Sequence, residues 1–234
     1  MDANRINAKI YAGRGKAALR LGYKFDVFRP ADAINPLANS VATIHAAFNA
    51  KDNDYLKPNG YGSPLWFVDV DARNVAVGDY LVREFAINDN QLRQEIYFVA
   101  SKQSLLPIQA IECNSLVRVI RQNGQAGVGA LGYNGLCGGT ELNSTALIGG
   151  KASNANIPAS YWPASILLGG KANSNDMTPS SVKNAGWRIL LPASLPVQLK
   201  SADIVLDNNN KKFIIEAAEL TDMGWRINAQ EAHL

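Results

Sequence analysis

The stretch "SADIVLDNNNKKFIIEAAEL" at 201–220 sets two short apolar runs on either side of three asparagines. Ile204, Val205 and Leu206 lead in, and Phe213, Ile214 and Ile215 lead out. β-Branched and aromatic residues flanking a cluster of turn formers read as a hairpin. A longer phrase upstream, "VGDYLVREFAINDNQLRQEIYFVASKQSLL" at 77–106, repeats the order of parts. There Asp79 precedes Tyr80-Leu81-Val82, and Tyr97-Phe98-Val99 make the return. Asp203 holds the matching place before Ile204, and a tryptophan opens a strand-like run ahead of each hairpin, Trp66 and Trp187. The first hairpin is longer, with 19 residues from Asp79 to Phe98 against 10 from Asp203 to Phe213. The pattern predicts a mainly β chain of two small antiparallel barrel- or sandwich-like units, with alternating apolar positions inward.

Each aspartate follows a small residue, Gly78 or Ala202, at a strand start. A carboxylate there can accept backbone N–H groups and fix the turn. Catalysis would need a second carboxylate or a histidine at a suggestive spacing, and the sequence offers none.

Outside the hairpins, further short strands are expected at 65–70, 115–120, 186–199 and 224–230. Residues 41–48 fit a strand or a short helix equally. A helix is expected over 2–21, with Asp2 as N-cap and Ile6, Ile10, Ala17 and Leu21 near one face. Gly13 and Gly15 weaken its middle by roughly 1 kcal/mol each relative to alanine, so a break or bend is expected there. The proline-bearing segment 29–39 reads as an extended connector, and 51–64 as a loop. From 122 to 186 the chain turns rich in Gly, Asn, Ser and Ala, and "LIGGKASNANIPAS" at 147–160 is echoed by "LLGGKANSNDMTPS" at 167–180. Two copies are too few for a solenoid, so they are read as long loop arms. The resulting division is a basic helix and connector at 1–40, a first β unit at 41–121, arms at 122–186 and a second β unit at 187–234.

The 234 residues carry a net charge of +3, unevenly placed. Seven cations face only Asp2 and Asp26 within the first 30 residues, a local +5 that leaves −2 on the rest. Arg5, Lys9, Lys16 and Arg20 would line one side of the helix. Such a face meets solvent or an acidic protein more often than nucleic acid, and no nucleic-acid partner is expected. The first 20 residues lack the apolar core of a secretory leader, and no apolar run reaches the roughly 20 residues of a membrane helix. Cys113 and Cys137, without Cys-x-x-Cys spacing, are expected to be reduced and structural.

Motifs for chemistry fail on inspection. "YAGRGKAAL" at 11–19 resembles a phosphate loop, but Ile10 stands at the first glycine position and Ala17 follows Lys16 where Ser or Thr is needed. The two histidines, His45 and His233, lack a tract of metal-ligating partners. Gly-x-Ser-x-Gly is absent. No cofactor and no metal are expected, and the enzyme class falls behind. A β-rich cell-wall hydrolase or a carbohydrate-binding module built on Trp162 are the rival readings.

Several phrases taken together, "NAKIYAGRGKAALRLGYKFDVFRP", "NGYGSPLWFVDVDAR", "GDYLV", "YFVASKQSLLPIQAIECN", "WPASIL" and "AELTDMGWRINA", resemble uncharacterised virion proteins of tailed bacteriophages. The likeness runs through nearly the whole chain except the arms. The hairpin ahead of "GWRI" is also similar to the small barrels of head–tail joining proteins. The resemblance implies a structural part of the virion, made in the host cytoplasm. It would be a ring or linker subunit at the tail or baseplate, or alternatively a head–tail neck connector or tail terminator. Its partners would be other phage proteins and copies of itself, in a multiple of six or three. The expected assembly interface comprises Arg5, Lys9, Arg14, Lys16, Arg20, Lys151, Trp162 and Lys171.

Overall fold

The structure, a computed structural model, describes residues 3–51, 60, 62–88, 91–122, 144–150, 160–169 and 186–232. The chain opens with helix α1, Ala3–Leu21, which runs unbroken where the two glycines suggested a bend. Close packing explains Gly15: a Cβ there would stand 2.9 Å from the Cβ of Asp71. The inner face of α1 is slim, with Ala18 fully buried and Tyr11 packed on the core beneath. Arg14 Nη1 reaches Asp69 Oδ1 at 3.0 Å, and Asn49 Nδ2 donates to the other oxygen at 3.1 Å.

Six strands follow: β1 Tyr23–Phe28, β2 Ser40–Asn49, β3 Leu65–Asp69, β4 Tyr80–Asn88, β5 Gln91–Ser101 and β6 Ile108–Glu112. They close a barrel in the order β1-β2-β3-β6-β5-β4. Three strands in succession and a fourth that returns beside the first make a Greek key, and the crossover carries a 3-10 turn at Ala72–Asn74. Alternation selects the interior, as in β1, where Phe25 and Val27 are buried and Lys24 and Asp26 exposed. Inside, Phe48 stacks on Tyr97 at 4.0 Å, and Phe25 meets both rings.

The remaining strands are β7 Ser115–Gln122, β8 Ser144–Ile148, β9 Trp162–Leu168, β10 Gly186–Leu191, β11 Ile204–Asp207, β12 Lys212–Thr221 and β13 Gly224–Glu231. Their sheet order is β11-β12-β13-β10-β9-β7-β8, and β11 also pairs with β7. Six strands therefore close into a ring, with β8 outside it against the later half of β7. Without β8 the ring reads β7-β9-β10-β13-β12-β11, the first barrel's order strand for strand. The two tryptophans fall at matching points: Trp66 on β3 pairs with Ala110 on β6, and Trp187 on β10 with Ala229 on β13. A bulge interrupts the matching strands β5 and β12, after Val99 and after Ile215.

Several elements differ from the sequence expectation. Tyr23–Phe28, grouped with the helix and connector, is the first strand of the first barrel. The ambiguous 41–48 is strand, because β2 pairs along both edges. β7, grouped with the first unit, runs in the second barrel, and so does β9, grouped with the arms. Of the β signal read over 186–199, the strand itself spans Gly186–Leu191, and turns follow it. Most of the repeated arm segments, Asp2, Cys137 and His233 lie outside the described residues.

Only Cys113 and Asn114 separate β6 from β7, and Asn114 locks that link. Its amide accepts from Ile166 N and donates to Ile166 O, both at 2.8 Å. The outward residues Tyr80, Val82, Ile96 and Phe98 of the first barrel join the same apolar core as Val117, Trp162, Ile189, Leu191 and Phe213 of the second. No helix among the described residues is long and apolar enough to cross a membrane.

Candidate functional site

The expected interface residues separate into four groups. Arg5, Lys9, Lys16 and Arg20 are exposed on the side of α1 opposite Ala18. Arg14 lies on the inner side and is committed to Asp69. Lys151 and Lys171 lie outside the described residues. Trp162 is 0 % exposed and belongs to no outer surface. Its indole N–H donates to Ala33 O at 2.8 Å, and its ring meets Tyr80 edge-on at 6.2 Å. Ala33 sits in the β1–β2 connector, so Trp162 ties that connector and both barrels together. A residue so enclosed offers no platform for a sugar.

Asp79 and Asp203 sit in the same device, built twice. Asp79 Oδ2 accepts Ala76 N at 2.8 Å, and Asp203 Oδ2 accepts Lys200 N at 2.8 Å. An arginine then grips each carboxylate with two nearly parallel bonds. Arg29 reaches Asp79 at 2.8 and 2.7 Å, and Arg121 reaches Asp203 at 2.7 and 2.8 Å. Both carboxylates are 2 % exposed, while the arginines remain 48 % and 35 % exposed. The fork-on-fork geometry is the strong form of the pair. Hydrogen bonding to its aspartate raises each guanidinium above its ordinary pKa. Backbone bonds match as well: Gly78 N to Val99 O and Ala202 N to Ile215 O, both at 2.8 Å.

In both barrels the arginine lies at the end of the first strand and the aspartate just before the fourth, neighbours in the closed ring. The clasp therefore pins the closing seam. Sequence reasoning placed the aspartates at a turn and missed Arg29 and Arg121, which lie 50 and 82 residues away. The signal available was position: each arginine ends or follows the opening strand of its unit.

A cleft of about 400 Å³ runs between β3, β6 and β9, with Trp66, Glu112, Asn114 and Ser165 among its lining. Glu112 is the acid in that lining, and its Oε2 already accepts the Trp66 indole N–H at 2.9 Å. Next to it, burial holds the Cys113 thiol well above the ordinary thiol value and the Tyr80 hydroxyl well above that of a phenol. The Tyr80 hydroxyl donates to Pro163 O at 2.9 Å across the barrel junction. His45 is half-buried on β2 opposite Lys24. Among the described residues, no three His, Cys, Asp or Glu side chains are grouped closely enough to hold a metal ion. No family model, curated protein or solved structure matches the chain.

Proposed function

We propose that this chain is a non-enzymatic structural subunit of a tailed-phage virion. In this reading it is a multi-copy ring or linker component at the tail or baseplate that joins tube or hub to surrounding proteins. The observation that carries the reading is the doubled barrel. Two closed rings of the same design are joined by a two-residue link, and the outer wall of the first packs into the core of the second. Closed rings have few free strand edges, and association is then left to loops and faces. All the long segments at 122–186 leave from the second barrel, between β7 and β10, and carry only five charged residues. Charge-poor, small-residue segments on a rigid block suit docking onto neighbouring subunits, and many copies in a ring would add avidity.

The neck position is the second reading. It draws on the β11–β12 hairpin with its closing Gly224-Trp225 strand, whose sequence resembles the small barrels of head–tail joining proteins. Negative-stain images of the purified protein test the assembly reading. Rings with six- or three-fold symmetry are expected, and particles that stay single at every concentration would overturn it. A zymogram against peptidoglycan addresses the hydrolase rival, for which a cleared band would count.

A further inference from the structure

We propose that the outer face of α1 is a docking site for double-stranded nucleic acid, held through phosphates of both strands. This goes beyond the assembly reading and holds for a single copy or a ring. From sequence alone the basic residues fit a solvated or protein-facing surface; the structure adds three observations. First, Arg5, Lys9, Lys16 and Arg20 are exposed along one stripe, the helix contains no acid, and none of the four makes an ion pair among the described residues. Arg14, by contrast, turns inward to Asp69.

Second, the stripe has a symmetric plan. Arg5 and Lys9 form one pair, Lys16 and Arg20 the other, and Ala12 and Gly13 lie between them. At about 1.5 Å per residue the pair centres stand about 16 Å apart, suited to phosphates on opposite sides of a groove about 12 Å wide. The same plan disfavours a second copy of the helix: an antiparallel mate would set arginine against arginine and lysine against lysine. A lipid surface is decided by the test below: Ala12 and Gly13 lie between the cation pairs, while Ile6 and Leu19 are exposed beside them.

Third, Gly13 has no packing reason among the described residues. A Cβ there would meet nothing within 4 Å, yet glycine is the poorest helix former apart from proline. Its place midway between the cation pairs is where a groove or backbone would come closest, and a missing side chain permits that approach.

The test is fluorescence anisotropy of the full chain with a labelled duplex about two helical turns long, across a salt series. Four phosphate contacts predict a slope of log K against log salt near −3.6, or roughly 150-fold weaker binding from about 50 to 200 mM salt. Lys9→Glu with Lys16→Glu should abolish binding without lowering Tm, since both side chains are exposed. Gly13→Gln separates docking from general charge attraction. It should raise Tm by improving the helix while weakening duplex binding about fivefold or more. The proposal is overturned by no salt-dependent duplex binding, or by binding that the double variant leaves intact. It is equally overturned by unchanged affinity in Gly13→Gln, or by stronger lysine-dependent binding to polyglutamate or anionic vesicles than to the duplex.

Discussion

The two barrels share a strand order and a seam clasp, but they differ at one turn position, and that difference separates what the turn requires from what packing requires. Gly78 and Ala202 occupy the same slot, one residue before the clasped aspartate, and both have left-handed φ, 89° and 71°. The turn itself accepts alanine, as Ala202 shows, exposed to solvent. Gly78 lies where the barrels meet: a Cβ there would stand 2.5 Å from Ser194 Cβ, and Ser194 Oγ donates to Gly78 O at 2.9 Å. Glycine is thus demanded by the junction and not by the hairpin. The second contrast lies in the cores. The first barrel encloses its own aromatic cluster, while the second shares its core with the outer wall of the first.

Substitution at the paired slots should give the largest contrast. Gly78→Ala combines overpacking with a strained backbone and is expected to cost about 3 kcal/mol. That corresponds to roughly 6–12 °C in Tm for a chain of this size, with partial recovery on adding Ser194→Gly. Ala202→Gly should fall within about 0.5 kcal/mol of the parent, because relief of strain offsets added freedom in the unfolded chain. Equal losses at both sites, measured by thermal and urea unfolding, would break the comparison.

Removing the clasping arginines comes next. Arg121→Ala leaves a buried carboxylate with its backbone donor alone and also loses the bond to Gln198 O, 2.9 Å in the parent. We expect a cost of about 2–3 kcal/mol. Arg29→Ala should cost less, about 2 kcal/mol, because solvent already screens more of that guanidinium. A reversed order would show that the seams are not energetically alike.

Tyr80→Phe removes one hydrogen bond between the barrels and should cost about 1 kcal/mol. The smallest effect concerns acid. Arg73 hydrogen-bonds Asp71 and holds its carboxyl below the usual range, a feature of the first barrel's crossover. The stability it contributes is complete above the ordinary carboxylate pKa and is lost as pH falls through the lowered one. Arg73→Ala should therefore differ from the parent near neutral pH and converge with it in strong acid, as followed by acid unfolding.

The hairpins were legible because alternation and turn residues are local signals. In β11 and β12 the asparagines lie where Asp207 Oδ1 accepts Asn209 N and Lys211 N, and Asn210 takes a left-handed φ of 62°. β1 was hidden behind the basic helix, since a six-residue strand carrying Lys24 and Asp26 has a weak apolar signature. The ring closures and both clasps depend on partners far apart in the chain, which no local pattern encodes. Trp162 reads as a surface candidate in a Gly- and Ser-rich setting, yet it is sealed by Tyr80 and Ala33, which lie at least 82 residues upstream. On α1, spacing set Arg5, Lys9, Lys16 and Arg20 on one side, while the partner of Arg14, Asp69, lies 55 residues away and left no local signal.

Light scattering of the intact chain after size exclusion, over a range of concentrations, bears most directly on the proposal that a rigid double barrel serves as a building block. The account predicts a discrete mass at a multiple of the 25.2 kDa protomer. A stable 25.2 kDa species at the highest concentration, with or without hydrolytic activity, would contradict it.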